Sequence, residues 1–478
     1  MAVDPLSPSP SAAACLSNIQ SRDVGSLEHP YTNFPALLAR GPLVLKRGKG
    51  VYVWDAAGKR YIEGMAGLWS TALGYGNEEM AETARQQIST LSYAHLFAAK
   101  SHEAAIALAE KIKELSPAPA SHVLYTSSGS EANDTQIKLA WYYNNAVGKP
   151  QKKKFISRRR AYHGVTLGAA SLTGLPVNHE SFDLPLPGFL HLTCPHHYRE
   201  ALPGESEEDF STRLAEELES TILREGPDTV AAFIAEPVMG AGGVVLPPRT
   251  YFEKIQAALA KYDVALIADE VICGFGRTGE WFGSQTFGLK PASASMAKAL
   301  TSSYAPLGAV TIPPHVHDVI QSEGGRIGAF GHGFTYGGHP LAAALGLKAI
   351  EIYEREDIVG HVRKLSPAFQ ARLKALGGHP LVGEARGVGL MGGLELVADK
   401  KSKTPFPPHA LVAQRVARCC EDEGLILRQI GDTLVVCPPL IIQEDEIDAL
   451  FDMVERALDR TEAHVEKEGM RGAGAVGG

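Results

Sequence analysis

Five short apolar runs in this chain each end on residues able to do chemistry. SHVLYT leads into SSGSEAND, KKFIS into RRRAYHG, VAAFIA into EPVMGAGG, DVALIA into DEVICGFG and SASM into AKAL. In an open α/β sheet, ligands gather beyond the carboxyl ends of the strands, so this order predicts one crevice ringed by Ser128 to Ser130, Tyr162 with His163, Glu236, Asp269 and Lys298. Lys298 has small, apolar neighbours and no adjacent acid (ASASMAKALTSSYAPLGA). Desolvation lowers the basicity of such an amine and favours the neutral form that makes imines; a lysine snorkelling from a helix is the ordinary alternative. Asp269 closes an apolar run, where a carboxylate needs donors or a cation beside it, and a protonated pyridine nitrogen would be such a cation. A helix N-cap or a structural ion pair would account for the same residue. The stretch between Asp269 and Lys298 holds one helix and one strand, so both reach the same rim. SSGSEANDTQIKLAWYY puts Ser and Gly at the start of a helix with Ile137, Ala140 and Trp141 on one face. Its free N–H groups and dipole suit a phosphate, though such residues are also common caps.

The elements that must position these groups follow from periodicity. From about residue 76 to 345, helical patterns alternate with short apolar runs, the signature of a helix-covered, mainly parallel sheet. Before it, GKGVYVWDAAGKRYIEG reads as a hairpin turning at Gly58; after about residue 346 come long amphipathic helices and a hairpin at LILRQIGDTLVVCPPL. The predicted organisation is a flexible arm (1–30), an N-terminal segment of a small domain (31–75), a large domain (76–345), the C-terminal part of the small domain (346–465) and a disordered tail (466–478).

Composition narrows the function class. The 478 residues are 45% hydrophobic and 21% charged, as in ordinary enzymes of two or three domains. A net charge of −8 argues against nucleic-acid binding, which needs a concentrated positive field. The basic run from Lys152 to Lys154 with Arg158 to Arg160 reads as a solvated strand flank. Six cysteines without CxxC pairing indicate a reducing compartment, and no apolar stretch is long enough for a membrane span. The first residues carry no Lys or Arg before Arg22, unlike a secretory or transit segment, so the expected location is cytoplasmic. Cys194, His196 and His197 in TCPHHYRE have no second ligand pair; the segment is expected to be a surface loop, with no metal site.

Jointly, GLWSTALGYGN, YTSSGSEAND, AYHG, EPVMGAGG, IADEVICGFGRTG, MAKAL, GFTYGGHP and LRQIGDTLVVCPPL, in that order from about Tyr31 to His464, resemble the class III (ω-amino acid) aminotransferases of pyridoxal 5′-phosphate (PLP) fold type I. The resemblance implies an α/β fold with a large parallel-sheet domain and a smaller α+β domain built from both chain ends. It implies that Lys298 is the Schiff-base lysine, that Asp269 pairs with the ring nitrogen, and that Val271 lies behind the ring with Tyr162 on its open face. Gly129 and Ser130 would hold the phosphate, Thr335 would reach the phosphate of a neighbouring subunit, and Glu236 would orient the ring's hydroxyl side. A homodimer with shared active sites, or a tetramer of such dimers, follows. Leu68, Trp69, Phe97 and Tyr162 would line the substrate pocket, with Arg428 binding a carboxylate as a planar fork; a solvent-facing hairpin arginine is the alternative.

Four positions depart from the family pattern. Ala299 and Ser303 replace glycines after the lysine, Gly337 stands where Ser or Ala is common, and Met239 stands where 4-aminobutyrate and ornithine relatives carry glutamine. The last favours pyruvate over 2-oxoglutarate as acceptor. The expected reaction is transfer of an amino group from an amine or ω-amino acid to a keto acid, with Lys298 moving the proton. A 2-oxoglutarate-dependent ω-aminotransferase, an aminomutase or a decarboxylating relative would share every cofactor residue. A noncatalytic protein that merely holds a phosphate compound is the rival from another class.

Overall fold

Strands covered on both faces read as unbroken apolar runs, and Val230–Ala235, Ser293–Met296 and Gly308–Ile312 are buried along their whole length. They belong to a seven-stranded sheet in the order His122–Thr126, Gly308–Ile312, Ser293–Met296, Ala265–Asp269, Val230–Ala235, Lys154–Arg158, Phe189–Leu192. In this computed structural model, which describes residues 16–471, Gly308–Ile312 runs antiparallel to both its neighbours and the other pairings are parallel. All five strand ends singled out in the sequence therefore open on one side. Asp269 pairs in register with Ser295, three residues before Lys298, which fixes the two chemical groups on adjacent strands.

Helix Gly129–Ala146 packs against Ser293–Met296 and Gly308–Ile312. Helices Glu207–Glu225 and Tyr251–Lys261 pack on one another and form an apolar cluster with Phe233, Leu266 and Ile156 of the strands. The chain is an α/β protein, as the sequence indicates.

Two smaller sheets join distant parts of the chain. Leu45–Lys49, Tyr52–Asp55 and Arg60–Glu63 are antiparallel neighbours, turning at Gly58 as expected, and Leu425–Ile426 adds a parallel strand on the Arg60–Glu63 edge. The predicted second hairpin pairs Arg428–Ile430 with Thr433–Val436. It extends a sheet with Met391–Leu396 and Val382–Val388, a pair that periodicity did not reveal. Glycine is the reason: a Cβ on Gly392 would lie 2.4 Å from Leu373 Cδ2, so the strand surrenders β-forming side chains to let helix Ile358–Ala375 come close. That helix and Glu444–Lys467 meet through Phe369 and Phe451, whose ring centroids lie 5.0 Å apart, edge to face.

Within the segment read as an arm, Asn18–Val24 is helical, capped by a reciprocal Ser17–Gln20 pair. The arm's first fifteen residues and positions 472–478 of the tail lie outside the described residues.

Two readings need correction. The basic run is not a solvated flank: Lys152 is buried against the Asp263 carboxylate at 2.9 Å, and buried Arg158 donates to the Glu236 carbonyl at 2.8 Å. Nor is TCPHHYRE a surface loop. Cys194 and His196 are buried, and His196 Nε2 meets Glu384 at 2.8 Å while His197 turns the other way, to the Glu205 carbonyl. His196, Glu384 and Glu395 come within 4.8 Å of one another. Arg386, at 2.5 Å from Glu384 and 2.7 Å from Glu395, and Arg199, at 2.5 Å from Glu395, supply the positive charge these carboxylates need. Runs of Lys, Arg and His mislead because their charges are satisfied by partners far away in sequence.

Candidate active site

At the end of Ser293–Met296 the chain enters a tight turn, Lys298–Leu300, and Lys298 takes a left-handed φ of 51°, followed by Ser302 at 49° and Ser303 at 60°. Such backbone is costly for residues with a Cβ and persists where the surroundings impose it, typically at functional sites. Ser303 stands where the family resemblance expects glycine, and it adopts the conformation a glycine would take without strain. Burial pushes the Lys298 amine down to about 8, although Asp269 and Glu236 both favour its charged form.

Asp269 is buried at the end of its strand, and its carboxyl group has three hydrogen-bond partners. Oδ2 accepts from Asn133 Nδ2 at 2.7 Å and meets His163 Nδ1 at 2.8 Å, and Oδ1 accepts from the Val271 N–H at 3.1 Å. Asn133 also donates to the His163 carbonyl at 2.7 Å, which joins the helix to the loop after Lys154–Arg158. On the next strand, buried Glu236 accepts from the Tyr162 N–H at 3.0 Å and the Gly240 N–H at 3.1 Å; burial raises its pKa.

The start of helix Gly129–Ala146 closes the other side. Ser128 Oγ accepts from the Glu131 N–H at 3.1 Å and Glu131 reaches back to the Ser127 N–H at 2.6 Å, a reciprocal cap that fixes where the helix begins. A Cβ on Gly129 would lie 3.0 Å from both Val271 methyls, so glycine is what lets this terminus sit against the valine.

Gly129, Ser130, Tyr162, Glu236, Asp269, Val271 and Lys298 thus share one cavity of about 120 Å³. A helix N-terminus for an anion, a buried carboxylate for a cationic ring nitrogen, an apolar wall and an amine of lowered basicity fit the donor and acceptor pattern of PLP. Buried His163 Nε2 and Asn133 Oδ1 have no hydrogen-bond partner among the described residues, so polar capacity remains around Asp269.

The other expected residues are placed differently. Arg428 stands on its hairpin with its charge acting on the Tyr162 phenol. Trp69 is buried among Met65, Val238, Ile272 and Cys273, whereas Leu68 is 55% exposed. Phe97 and Thr335 do not line the cavity of Lys298: Phe97 lines a separate cavity of about 440 Å³ with Gly333 and Phe334, and the Tyr93 hydroxyl donates to the Thr335 carbonyl at 2.8 Å. Met239 packs into a buried cluster with Ala161, Cys194 and Val245, and Ala299 accepts from the Tyr353 hydroxyl at 2.7 Å through its carbonyl.

Sequence reasoning missed Asn133 and Tyr31. Asn133 follows Gly129 by one helical turn, a spacing that puts both on one face. Tyr31 hydrogen-bonds Tyr162 and, at 2.5 Å, Asn178; nothing local in the sequence signals a contact made across the fold.

Residues 38–458 match the family model described as Aminotransferase class-III. An omega transaminase from Pseudomonas jessenii, solved in complex with PMP, is 52% identical with a TM-score of 0.93, covering 94% of this chain and 99% of that one. A PMP-bound aminotransferase from Vibrio fluvialis is 44% identical at a TM-score of 0.92, with the same coverage. The tomato (Solanum lycopersicum) protein named gamma aminobutyrate transaminase 1, mitochondrial, is 49% identical over 427 residues, 89% of this chain and 83% of the relative.

Proposed function

The chain belongs to the class III aminotransferases, PLP-dependent enzymes that move an amino group to a keto acid, and from that premise we propose how its own residues do so and on what. The observation that carries the reading is the amine of Lys298, its basicity lowered by burial, sharing one cavity with the triply supported Asp269 carboxylate. When bound, PLP supplies an electrophilic carbon and an electron sink for the pair released at the substrate carbon. Lys298 would hold it through its amine, and the same amine, once free, would carry the proton released at the substrate carbon. Asp269, hydrogen-bonded by Asn133, His163 and the Val271 N–H, would face the ring nitrogen and favour a proton there. Gly129 and Ser130 offer N–H groups to the phosphate, Val271 and Tyr162 exclude water from the faces of the ring, and Glu236 fixes Tyr162 through its backbone.

The donor is an amine or ω-amino acid and the acceptor a keto acid, for which we propose pyruvate. The names of the relatives include both gamma-aminobutyrate and omega transaminases, which supports a donor whose amino group is remote from any carboxylate. Met239, packed away from the cavity, does not bear on the acceptor through direct contact. Phe97 and Thr335 serve the active site of a second copy in a homodimer; their exposure beside Tyr93 and Tyr336, outside the lining of the Lys298 cavity, supports this. No described helix is long and apolar enough to cross a membrane, and the five cysteines among the described residues, all buried and unpaired, support a reducing compartment, for which we propose the cytoplasm.

The test of the function is spectroscopic. Visible absorbance of the holoenzyme should fade on adding benzylamine and return on adding pyruvate. Fading with return only on 2-oxoglutarate would replace the acceptor, and no fading with any amine would remove the donor class.

Arg428 is assigned the acceptor's carboxylate. Arg428→Ala should raise KM for pyruvate by about 10–100-fold, the worth of a charge-assisted hydrogen-bonded pair, with KM for benzylamine within about threefold of wild type. Equal shifts for both substrates in steady-state kinetics would return Arg428 to a structural part of the hairpin.

A further inference from the structure

Glu63 is a buried acid that the chemistry above leaves idle. It ends strand Arg60–Glu63 with 3% of its surface exposed, and burial lifts its carboxyl to about 7. Its acceptors are filled by the chain that follows: the Gly67 N–H donates to Oε2, and the Met65 N–H and Tyr75 hydroxyl also bond the carboxyl group. The loop so gripped has an unusual course. Ala66, Gly67 and Trp69 all have left-handed φ, at 46°, 64° and 64°, and only one of the three is glycine. Backbone of this kind holds only where its surroundings over-determine it, and a side chain as large as tryptophan makes the demand greater.

What the loop presents is Leu68, exposed, and Trp69, buried beside Ile272 and Cys273, which follow Val271 of the cavity wall. Its far end is tied to the lysine turn, since the Leu73 N–H donates to Ser302 Oγ and the Asn77 N–H to the Tyr304 hydroxyl, both at 2.8 Å. Its near end is tied to the Arg428 hairpin, since the Gly64 N–H donates to the Ile426 carbonyl at 3.0 Å and the Gly64 carbonyl accepts from the Cys437 N–H at 2.7 Å. Glu63 is the one acid among the loop's anchors, and it bonds the loop's own N–H groups rather than a neighbouring element.

We propose that Glu63 is a positioning residue of the donor pocket: its carboxyl group holds the Met65–Trp69 loop with Ala66, Gly67 and Trp69 at left-handed φ and thereby sets Leu68 and Trp69 against the side chain of the amine. This rests on the reading of Leu68 and Trp69 as pocket walls. The Gln variant keeps the shape but replaces an acceptor oxygen with a donor that cannot receive the loop's N–H groups.

The test compares holoenzymes carrying Glu63→Gln, Tyr75→Phe and Trp69→Ala, with pyruvate as acceptor and benzylamine or isopropylamine as donor. Glu63→Gln should raise KM for benzylamine by roughly tenfold or more relative to that for isopropylamine, the scale on which pocket fit discriminates apolar groups, with a smaller fall in kcat. Tyr75→Phe, which leaves the carboxyl group in place and removes one donor, should shift the same ratio in the same direction by less. Visible absorbance should show the cofactor bound in all three. Equal loss with both donors, or no change in the ratio in either the Gln or the Phe variant, overturns the proposal. If Trp69→Ala moves the ratio and the other two do not, the pocket stands and Glu63 alone is dismissed; if Trp69→Ala leaves the ratio alone, the pocket reading fails and the Glu63 proposal falls with it. Should the Gln variant not fold, Tyr75→Phe decides on the same criterion.

Discussion

Lys298→Ala, loaded with PLP, should transaminate at least about 10³-fold more slowly than the wild-type enzyme, since it loses both a nucleophilic anchor and a proton carrier, and proton transfer alone is worth roughly 10²–10⁴-fold. The cavity's other contacts, at Gly129, Ser130 and Asp269, do not involve this side chain, so the variant should still take up the cofactor. Borohydride reduction followed by mass spectrometry should leave a cofactor label on the wild-type chain and none on the variant. A variant that retains wild-type kcat or keeps the label would remove Lys298 from the mechanism. The same residue sets a pH signature. With its amine brought down to about 8, the neutral fraction in cofactor-free protein rises about tenfold per pH unit up to that point and then levels. The rate at which added PLP is captured, followed by visible absorbance, should therefore plateau near pH 8. A plateau only above pH 10 would mean that burial does not tune the amine.

The second large effect is expected at Asp269. Asp269→Asn preserves the shape but removes the charge, and the new NH2 group must stand either at the Oδ2 position, where Asn133 already donates, or at the Oδ1 position, where the Val271 N–H donates, so that one donor meets another. A preorganised charge aimed at a developing charge is worth about 10²–10³-fold in kcat, and a loss of that size is expected here, with the protein still folded and still binding PLP. Steady-state kcat and visible absorbance together check it. A loss below tenfold would show that the ring nitrogen does not depend on this carboxylate, and would shift attention to His163 and Asn133 as the groups that set the ring's protonation.

Much of this site was legible because strand ends and chemistry coincide in an open sheet. Lys298, Asp269, Glu236, Tyr162 and Gly129 each follow a short apolar run, and a parallel sheet buries such runs while leaving their carboxyl ends at a common rim. Contacts between remote segments were not legible. Tyr31 meets Tyr162, His196 meets Glu384, and Lys152 meets Asp263 across sequence separations that no local pattern records. The strand pair Val382–Val388 and Met391–Leu396 was hidden for a different reason: its glycines trade intrinsic β preference for close approach of a helix, so tertiary packing overrides propensity. Trp141 illustrates the limit of helical periodicity, since it shares a sequence spacing with buried Ile137 yet stands at the surface with its indole N–H donated to the Lys153 carbonyl at 2.9 Å.

The parallel pairing of Leu425–Ile426 with Arg60–Glu63 has a consequence for biosynthesis. The seven-stranded sheet is complete once Ile312 has left the ribosome, because its last strand in sequence is Gly308–Ile312. The edge of Arg60–Glu63, made much earlier, stays open until residues more than three hundred positions later arrive to cover it. An open edge is a template for pairing with any other strand, including one on a neighbouring nascent chain. During that interval the lysine turn already has its strands, while the segment from Glu63 to Trp69 still lacks the neighbour that braces it. Translation speed between Ile312 and Ile426 therefore sets how long each molecule is exposed to mispairing, and slow codons there would lower the yield of folded enzyme without altering a single residue of it.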